Sequence, residues 1–334
     1  MVMNKQLTRS ALLQWLSVLV ILLGLISFAL VIGEADLSLW QGILAMFGHG
    51  DAVSVFLVQE LRLPRIIAAL LSGAALATAG CLLQTLARNR LATPNIIGLD
   101  NGATAFAVAS IVAVPISLAA PVLALTGAAT AAALAFGLSA GAGARGYRFI
   151  VMGIGVGAVF GALTNFMLAR TDMDSANSAF PWTVGSLNGR PEQAIYWLAY
   201  ALVLGLPAAL YLARSLNTMR LSEAIAIGLG TAVKRTRWLT LMVTVLLTGF
   251  SIALVGPVGI IALAAPEAAR NLSAAHRVPV LLSAVIGSGL MLLADLVGQH
   301  GFSPIEVPVG LITAIVGGPY LLWILLRKTQ PRTL

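Results

Sequence analysis

Charged side chains are scarce in this sequence. Of its 334 residues, 10% are Asp, Glu, Lys or Arg and 59% are hydrophobic, and the mean hydropathy is +0.96. A soluble domain has about 25% charged residues and about half apolar ones. The composition therefore excludes a water-soluble protein. The membrane-spanning helices that it favours leave no room for a separate catalytic domain.

Cysteine, lysine and histidine are also rare, and their scarcity excludes several kinds of site. The lone Cys81 rules out an internal disulfide and a metal site built from cysteines. None of the three lysines stands in a P-loop pattern, so any ATP must be hydrolysed by a partner. The three histidines fall in predicted loops without carboxylates at metal-ligand spacing, so we expect neither a metal site nor a hydrolytic triad. These residues are Lys5, Lys234, Lys328, His49, His276 and His300.

The sequence does contain a series of long apolar segments. Ten of them are candidates for membrane-spanning helices of about 20 residues, although the third and eighth are short enough to be half-length helices covered by protein. The first resembles a signal peptide, but its length and the lack of a small-residue cleavage site predict a helix that is kept. The predicted spans are 11–32, 64–86, 94–112, 116–140, 149–169, 193–213, 238–255, 258–271, 279–298 and 308–326. We therefore predict an all-α polytopic membrane protein in which residues 1–334 form one domain.

The charges at the ends of these spans are distributed unequally between the two sides. With the amino terminus in the cytoplasm, 16 of the 20 basic residues fall on the cytoplasmic side, whereas most acidic residues fall outside. Cytoplasmic loops of membrane proteins carry this excess of Lys and Arg. The four external basic residues are Arg62, Arg65, Arg170 and Arg190. The pattern predicts cytoplasmic termini, and it attributes the net charge of +8 to topology and anionic lipid rather than to nucleic acid.

Glycine recurs at every fourth position in the fifth span. Gly153, Gly157 and Gly161 form a ridge of small residues on one helix face, and Asn165 follows one turn later. Such a ridge lets helices approach closely in lipid, and a polar pathway lined by this face is the alternative interpretation. The run also matches a loose dinucleotide-binding pattern, but no strand precedes it, so we reject that site.

Three carboxylates, Asp100, Glu267 and Asp295, fall within the predicted spans. Ionisable groups at membrane depth are costly and are candidates for function. All three lie near predicted helix ends, where a helix cap or an ion pair with a nearby arginine is the simpler interpretation. An ion-coupled carrier usually has more such groups.

The longest cytoplasmic connection covers residues 214–237. Ser222 is placed to cap a short helix, Glu223 suits the positive end of that helix, and Gly228 or Gly230 can end it. A second short helix is expected to follow. The pair would form a docking element on the cytoplasmic face, and an amphipathic loop is the alternative.

A set of short motifs stands in a fixed order along most of the chain. They are Arg62-Leu63-Pro64-Arg65, Gly73-Ala74-Ala75-Leu76, Gln84-Thr85-Leu86-Ala87-Arg88-Asn89, Leu91-Ala92-Thr93-Pro94, Gly98, Trp182, Gly185-Ser186-Leu187, Ala226-Ile227-Gly228, Gly256-Pro257, Ala294-Asp295-Leu296 and Val307-Pro308-Val309-Gly310. Each motif is weak alone. Together they make the chain resemble the FecCD-type permeases, which are the membrane subunits of ABC importers for iron–siderophore complexes, haem and cobalamin.

The resemblance implies a cobalamin-importer-like permease fold of ten helices, that of the type II ABC importers. Two permease subunits, identical or different, would pair around a central pathway. Two ATPase subunits that hold ATP and Mg would lie beneath them, and a substrate-binding protein, periplasmic or lipid-anchored, would dock above. The chain itself would be a non-catalytic subunit without cofactor or metal, in the bacterial inner membrane.

The resemblance also implies where the binding protein docks. Arg62 and Arg65 match family arginines that contact acidic residues on the lobes of that protein. A third family arginine is replaced in this chain by Gln299.

Two cytoplasmic regions are implied as well. The segment 221–234 corresponds to the coupling helices that sit in a cleft of the ATPase. Its expected coupling residues are Ser222, Glu223, Ala224, Gly228 and Gly230. Asn89 and Leu91 match a family position at the cytoplasmic gate. A left-handed cap that ends the preceding helix is the alternative interpretation of Asn89.

Two departures from the family pattern lie on this inner face. Arg90 stands where the family usually has proline, which frees the local backbone. Glu267 stands where the family usually has histidine, and it is spaced to pair with Arg270 one turn later. We expect a conserved fold with altered detail there.

The sequence thus predicts the permease subunit of a binding-protein-dependent ABC importer, with alternating access driven by a partner ATPase. Iron(III)–siderophore complexes are the expected cargo because they are the commonest in the family. Haem or cobalamin import is the alternative within the family. An ion-coupled secondary transporter and, more distantly, an intramembrane enzyme are the alternatives outside it.

Overall fold

The computed structural model describes residues 2–33, 37–112, 120–139, 146–273 and 277–326, and within these ranges every regular element is a helix. The α-helices are α1 (Val2–Val31), α2 (Leu39–Met46), α3 (Ala52–Phe56), α4 (Leu63–Ala87), α5 (Leu99–Val112), α6 (Ala120–Leu138), α7 (Gly146–Arg170), α8 (Met173–Val184), α9 (Glu192–Met219), α10 (Glu223–Gly228), α11 (Val233–Val255), α12 (Ile261–Leu272), α13 (Val280–His300) and α14 (Val309–Leu326). A π-helical segment, Leu57–Arg62, joins α3 to α4, and a 3₁₀ turn, Pro94–Ile97, precedes α5. The prediction of an all-α polytopic protein is confirmed.

Each of the ten predicted spans coincides with a helix. Seven described segments are long and apolar enough to cross a membrane, and α5 and Val309–Tyr320 are shorter apolar helices. The two spans predicted to be short are short, since α5 has 14 residues and α12 has 12. Some residues of the charge and histidine arguments lie outside the described ranges, namely Glu34, Asp36, Arg145, His276, Arg327, Lys328 and Arg332.

Helix α4 forms the centre of the bundle, where it packs against α9, α11, α12 and α13. Small residues set these distances. A Cβ atom on Gly73 would collide with the carbonyl of Gly287, and one on Gly80 would collide with the carbonyl of Ala262. Because lipid supplies no hydrophobic drive between helices, such close backbone contact is how membrane helices associate.

The outer part of α4 extends further than its apolar run predicts. Residues 52–87 form one continuous helical segment, in which a mostly apolar start at 52–58 is followed by Gln59, Glu60 and Arg62. Asp51 starts this segment by accepting a hydrogen bond from the amide of Ser54 at 3.0 Å. Hydrogen bonds from the side chain and amide of Ser54 also lower the pKa of Asp51. The extension brings the π-helical segment, a form often found at functional sites, to the outer end of the bundle.

Candidate functional site

The end of the bundle predicted to face outward contains a cleft of about 420 Å³. Three of the four external arginines line it, together with acidic and amide side chains. The polar lining residues are Glu60, Arg62, Arg65, Asn188, Arg190, Asp295, Gln299 and Glu306. The cleft is therefore charged, and its arginines are gathered where sequence analysis placed the docking of a partner.

The two arginines predicted to dock the binding protein already have partners within the chain. Arg62 donates hydrogen bonds to the carbonyls of Leu30 and Val31 at 2.6 and 3.0 Å, at the carboxyl end of α1. A guanidinium at this position satisfies carbonyl groups that the helix leaves unpaired and suits its negative end. Arg62 thus fixes α1 to the outer end of α4.

Arg65 joins α4 to α13 and to the connection that follows it. Its guanidinium donates two hydrogen bonds to Asp295, at 2.8 and 2.9 Å, and one to Glu306. Gln299 donates to the same carboxylate of Asp295 at 2.6 Å, and Asn188 donates to Glu306 at 3.0 Å. Only 19% of the Arg65 side chain and 3% of the Asp295 side chain are exposed. The expected ion pair of Asp295 with an arginine is confirmed, and Gln299 occupies its position as an amide donor to that pair.

Arg190 was placed by the sequence only on the outer side, and the structure gives it a specific position. Its guanidinium donates to the carbonyls of Ser186, Pro181 and Val255 at 2.8 to 3.3 Å. It also lies 4.2 Å from the ring centroid of Trp182, a cation–π contact. The residue thus joins the ends of α8 and α11. No local pattern in the sequence could indicate the contact with α11, because Val255 lies 65 residues further along the chain.

At the other end of the bundle, residues Arg88–Leu91 follow α4, and we call them the gate segment because they hold the two predicted gate residues. Arg88 has a φ of +49° and donates to the carbonyl of Met219. Asn89 is exposed, and its side-chain oxygen accepts a hydrogen bond from the amide of Leu91 at 2.9 Å. The left-handed position that ends α4 therefore belongs to Arg88 rather than to Asn89. Asn89 instead closes a turn with its own side chain.

The gate segment is attached to α12 through a chain of polar contacts. Arg90 donates to Glu267 at 3.0 Å, and Arg270 donates to the other oxygen of that carboxylate at 3.3 Å. Arg270 also donates to Gln84, whose amide nitrogen lies 3.4 Å from the carbonyl oxygens of Ala262 and Leu263. The predicted pair of Glu267 and Arg270 is confirmed. Glu267 therefore contacts Arg90, and these are the two residues at which the sequence departs from the family pattern on the inner face.

The predicted coupling segment contains one short helix, α10. Ser222 caps it by accepting a hydrogen bond from the amide of Ile225 at 3.0 Å, and the helix ends at Gly228, as predicted. Gly230 follows with a φ of +79°. Glu223 pairs with Arg237 at 2.9 Å. Glu223 lies in the first turn of α10, as predicted, and the adjacent Ala224 is exposed.

The prediction of a second short helix after α10 is wrong. Helix α11 begins at Val233 and includes the basic residues that were assigned to the connection. A hydrogen bond from the amide of Thr231 to the carbonyl of Ala226, and a contact of 3.0 Å between the hydroxyls of Thr218 and Thr231, close the turn before α11. The chain therefore re-enters the bundle sooner than its apolar run indicates, because Lys and Arg are good helix formers.

The glycine ridge on α7 lies against the start of α5. A Cβ atom at Gly98 would lie 2.8 Å from the carbonyl oxygen of Gly153 and 2.9 Å from the nitrogen of Gly157, so the two backbones are in contact there. Gly161 lies further from this contact, near Asn101, and Asn165 is exposed. This arrangement is the one that the close-packing interpretation requires for Gly153 and Gly157.

We expect Gly157→Leu to destabilise the protein by about 1–3 kcal/mol, the usual cost of overpacking. A Cβ atom there would lie 3.3 Å from the Cα of Gly98, whereas Gly155 has open space around it and provides the control Gly155→Leu. Thermal unfolding in detergent measures the difference. Equal stability of both variants, with transport lost only in Gly157→Leu, would instead favour a pathway role.

The described residues contain no group of three or more His, Cys, Asp or Glu side chains that could hold a metal ion. Cys81 is buried and is a free cysteine.

Comparisons with known proteins agree with this architecture. A sequence profile of the FecCD transport family matches residues 19–327. The chain is 34% identical over 314 residues to the achromobactin transport system permease protein CbrC of Dickeya dadantii (strain 3937), which covers 93% of this chain and 90% of CbrC. It is also 34% identical over 301 residues to the ferric enterobactin transport system permease protein FepG of Escherichia coli (strain K12), covering 90% and 91% of the two chains.

A solved structure has the same fold. It is an inward-facing conformation of a metal-chelate type ABC transporter, with a TM-score of 0.82 and 26% sequence identity. The alignment covers 96% of this chain and 100% of that chain. The profile match, the relatives and the shared fold together extend over nearly all of the described helices. The chain is therefore a multi-pass membrane permease that belongs to the FecCD transport family.

Proposed function

We propose that this permease imports iron(III)–siderophore complexes across the bacterial inner membrane, as the membrane subunit of a binding-protein-dependent ABC importer. The observation that carries the proposal is similarity over about nine-tenths of the chain to permeases named for achromobactin and for ferric enterobactin. We assign the transport pathway to this chain and ATP hydrolysis to a partner, because none of its three lysines stands in a P-loop pattern. Haem and cobalamin are the alternative cargoes within the family.

Coupling to the ATPase is assigned to α10 and its flanking turns. Apolar side chains are exposed around this short helix, where a soluble surface would be polar, and such patches mark protein interfaces. They are Leu221, Ile225, Ile227 and Leu229. We assign the contacts to Ser222, Glu223, Ala224, Gly228 and Gly230, which start the helix and end it. ATP and Mg are then held by two ATPase subunits beneath a pair of permeases.

Docking of the binding protein is assigned to the outer cleft. Arg62 and Arg65 supply positive charge at its rim, and an acidic lobe would complement it. Because both guanidinium groups have partners within the chain, only their remaining exposed donors are available to a second protein. Asn89 and Leu91 are assigned to the cytoplasmic gate at the opposite end.

An ion-coupled secondary transporter is less well supported by the side chains. Two of the three carboxylates within the spans, Glu267 and Asp295, are ion-paired with arginines. Because guanidinium groups already occupy these carboxylate oxygens, neither side chain is free to bind a transported cation. Asp100, in the first turn of α5, is the one remaining candidate of the three.

Uptake into vesicles that contain the reconstituted complex tests the proposal. We expect accumulation of a ferric siderophore only when the ATPase, ATP and the binding protein are all present. Accumulation driven by a proton gradient without the ATPase would contradict it. Uptake of haem or cobalamin in place of the ferric complex, under the same ATP dependence, would correct the cargo alone.

A further inference from the structure

Glu267 is a nearly buried carboxylate that lies between two guanidinium groups. Its side chain is 11% exposed, and its two oxygens accept hydrogen bonds from Arg90 at 3.0 Å and from Arg270 at 3.3 Å. One arginine is enough to balance the charge of one carboxylate. The second arginine therefore does something other than neutralise Glu267.

The two arginines differ in how firmly they are held. The Arg270 side chain is 20% exposed, sits one turn from Glu267 on the same helix, and donates a further hydrogen bond to Gln84. The Arg90 side chain is 62% exposed and reaches Glu267 from the gate segment, 177 residues away in the sequence. An ion pair with one well-hydrated partner contributes little stabilising free energy and breaks easily. The contact of Arg270 is more enclosed and is therefore the more stable of the two.

The surroundings of this pair form a fixed base. The last turns of α4 are attached to α12 by the amide of Gln84, which lies at 3.4 Å from the carbonyls of Ala262 and Leu263. The same two helices touch through Gly80 and the backbone of Ala262. The end of α4 and α12 are therefore joined by close backbone contact and by Gln84, whereas the gate segment reaches α12 through the exposed side chain of Arg90.

We propose that Arg90 is a positioning residue whose releasable ion pair with Glu267 holds the gate segment against α12. The inference rests on the proposed function, because it concerns the gate of the same pathway. Closed, the pair keeps the turn formed by Asn89 and Leu91 on the inner end of α12. Released, it lets the segment move away without disturbing the contacts of Arg270 and Gln84. Its two partners are the residues at which the sequence departs, on the inner face, from the pattern that the resemblance implies.

Amide hydrogen exchange in the purified permease tests the pair without reference to transport. The amides of Leu91 and Ala92 donate to Asn89 within the turn, and the amide of Asn89 donates to the carbonyl of Gln84 in α4. Exchange at these three amides therefore reports on opening of the gate segment. We expect the exchange rate to rise about two- to fivefold in Arg90→Gln, because an exposed ion pair contributes only a small stabilising free energy. The conservative variant Arg90→Lys should exchange as the unaltered protein does. A matched control is Arg277→Gln, at an exposed arginine of the cytoplasmic connection that follows α12.

Salt and charge reversal distinguish a releasable pair from a merely structural contact. Raising the ionic strength should increase exchange in the unaltered protein and have little further effect in Arg90→Gln, since screening acts on the pair itself. Arg90→Glu places two carboxylates together and should open the segment further, and adding Glu267→Gln should reverse most of that increase. In vesicles without ATP, Arg90→Glu should leak a ferric siderophore faster than Arg277→Glu.

Two results would overturn the proposal for Arg90. One is equal exchange in Arg90→Gln, Arg90→Lys and the unaltered protein, and the other is an equal rise in the Arg277 controls. Failure of ATP-dependent uptake by the unaltered complex, with exchange behaving as expected, would count against the proposed function and leave the ion pair standing.

Discussion

Replacing Gly228 with proline should abolish ATP-driven uptake while leaving the membrane-spanning helices folded. Proline at 228 removes an amide hydrogen from the last turn of α10 and sets its ring against the carbonyl of Ala224, at a cost of about 3 kcal/mol. A helix of six residues has too few hydrogen bonds to absorb that cost. We expect ATP hydrolysis by the complex to continue without transport, and uptake measured together with hydrolysis in the same vesicles checks this.

The structure offers a matched control at the same position. Gly228 has open space around it and no left-handed φ, so Gly228→Ala should fold and transport normally. Gly230→Ala differs, because its φ of +79° disfavours any side chain, and it should reduce coupling in part. Undiminished uptake in Gly228→Pro would remove α10 from the coupling mechanism. Loss of folding, seen by thermal unfolding of the permease alone, would show that α10 stabilises the bundle instead.

Helices whose signal is local could be predicted from the sequence. All ten predicted spans are helices because a long apolar run can satisfy its backbone in lipid only by forming a helix or a barrel. Helix α8 was missed because Met173–Val184 is too polar for a span, although its start has a local signal. Asp172 caps it by accepting a hydrogen bond from the amide of Ser175 at 2.8 Å.

The residues of the candidate sites also divide into those with a local sequence signal and those whose contacts depend on packing. The cap at Ser222 could be predicted because a serine two or three residues before the amides that donate to it is a local pattern. The contact of Arg90 with Glu267 could not, because it joins residues on different elements and depends on how α4 packs against α12. The sequence could indicate only that each residue was unusual for the family. Likewise, the charge distribution predicted the side of the membrane on which Arg62 and Arg65 lie. It could not predict the groups within the chain to which they donate hydrogen bonds.

Arg65→Gln should lower the stability of the permease by about 3 kcal/mol, because removing one partner of a buried pair leaves the other charge uncompensated. The carboxylate left behind is Asp295, which is 3% exposed and would keep only the amide of Gln299 as a donor. Glu306→Gln should cost less than about 1 kcal/mol, because the Glu306 side chain is 37% exposed and solvated. Thermal unfolding of the three proteins in detergent gives both values.

A third variant, Asp295→Asn, used together with these two, separates the stabilising role of Arg65 from its proposed docking role. Asp295→Asn disturbs the buried pair but keeps the positive charge at the cleft, so it should bind an acidic binding protein at least as tightly as the unaltered permease. Glu306→Gln removes a carboxylate that competes for Arg65 and should tighten docking at low salt, where exposed charges are least screened. Arg65→Gln should weaken docking several-fold under the same conditions. If docking follows stability across the three variants instead of the charge at the cleft, Arg65 stabilises the outer end of the bundle and makes no contact with the partner.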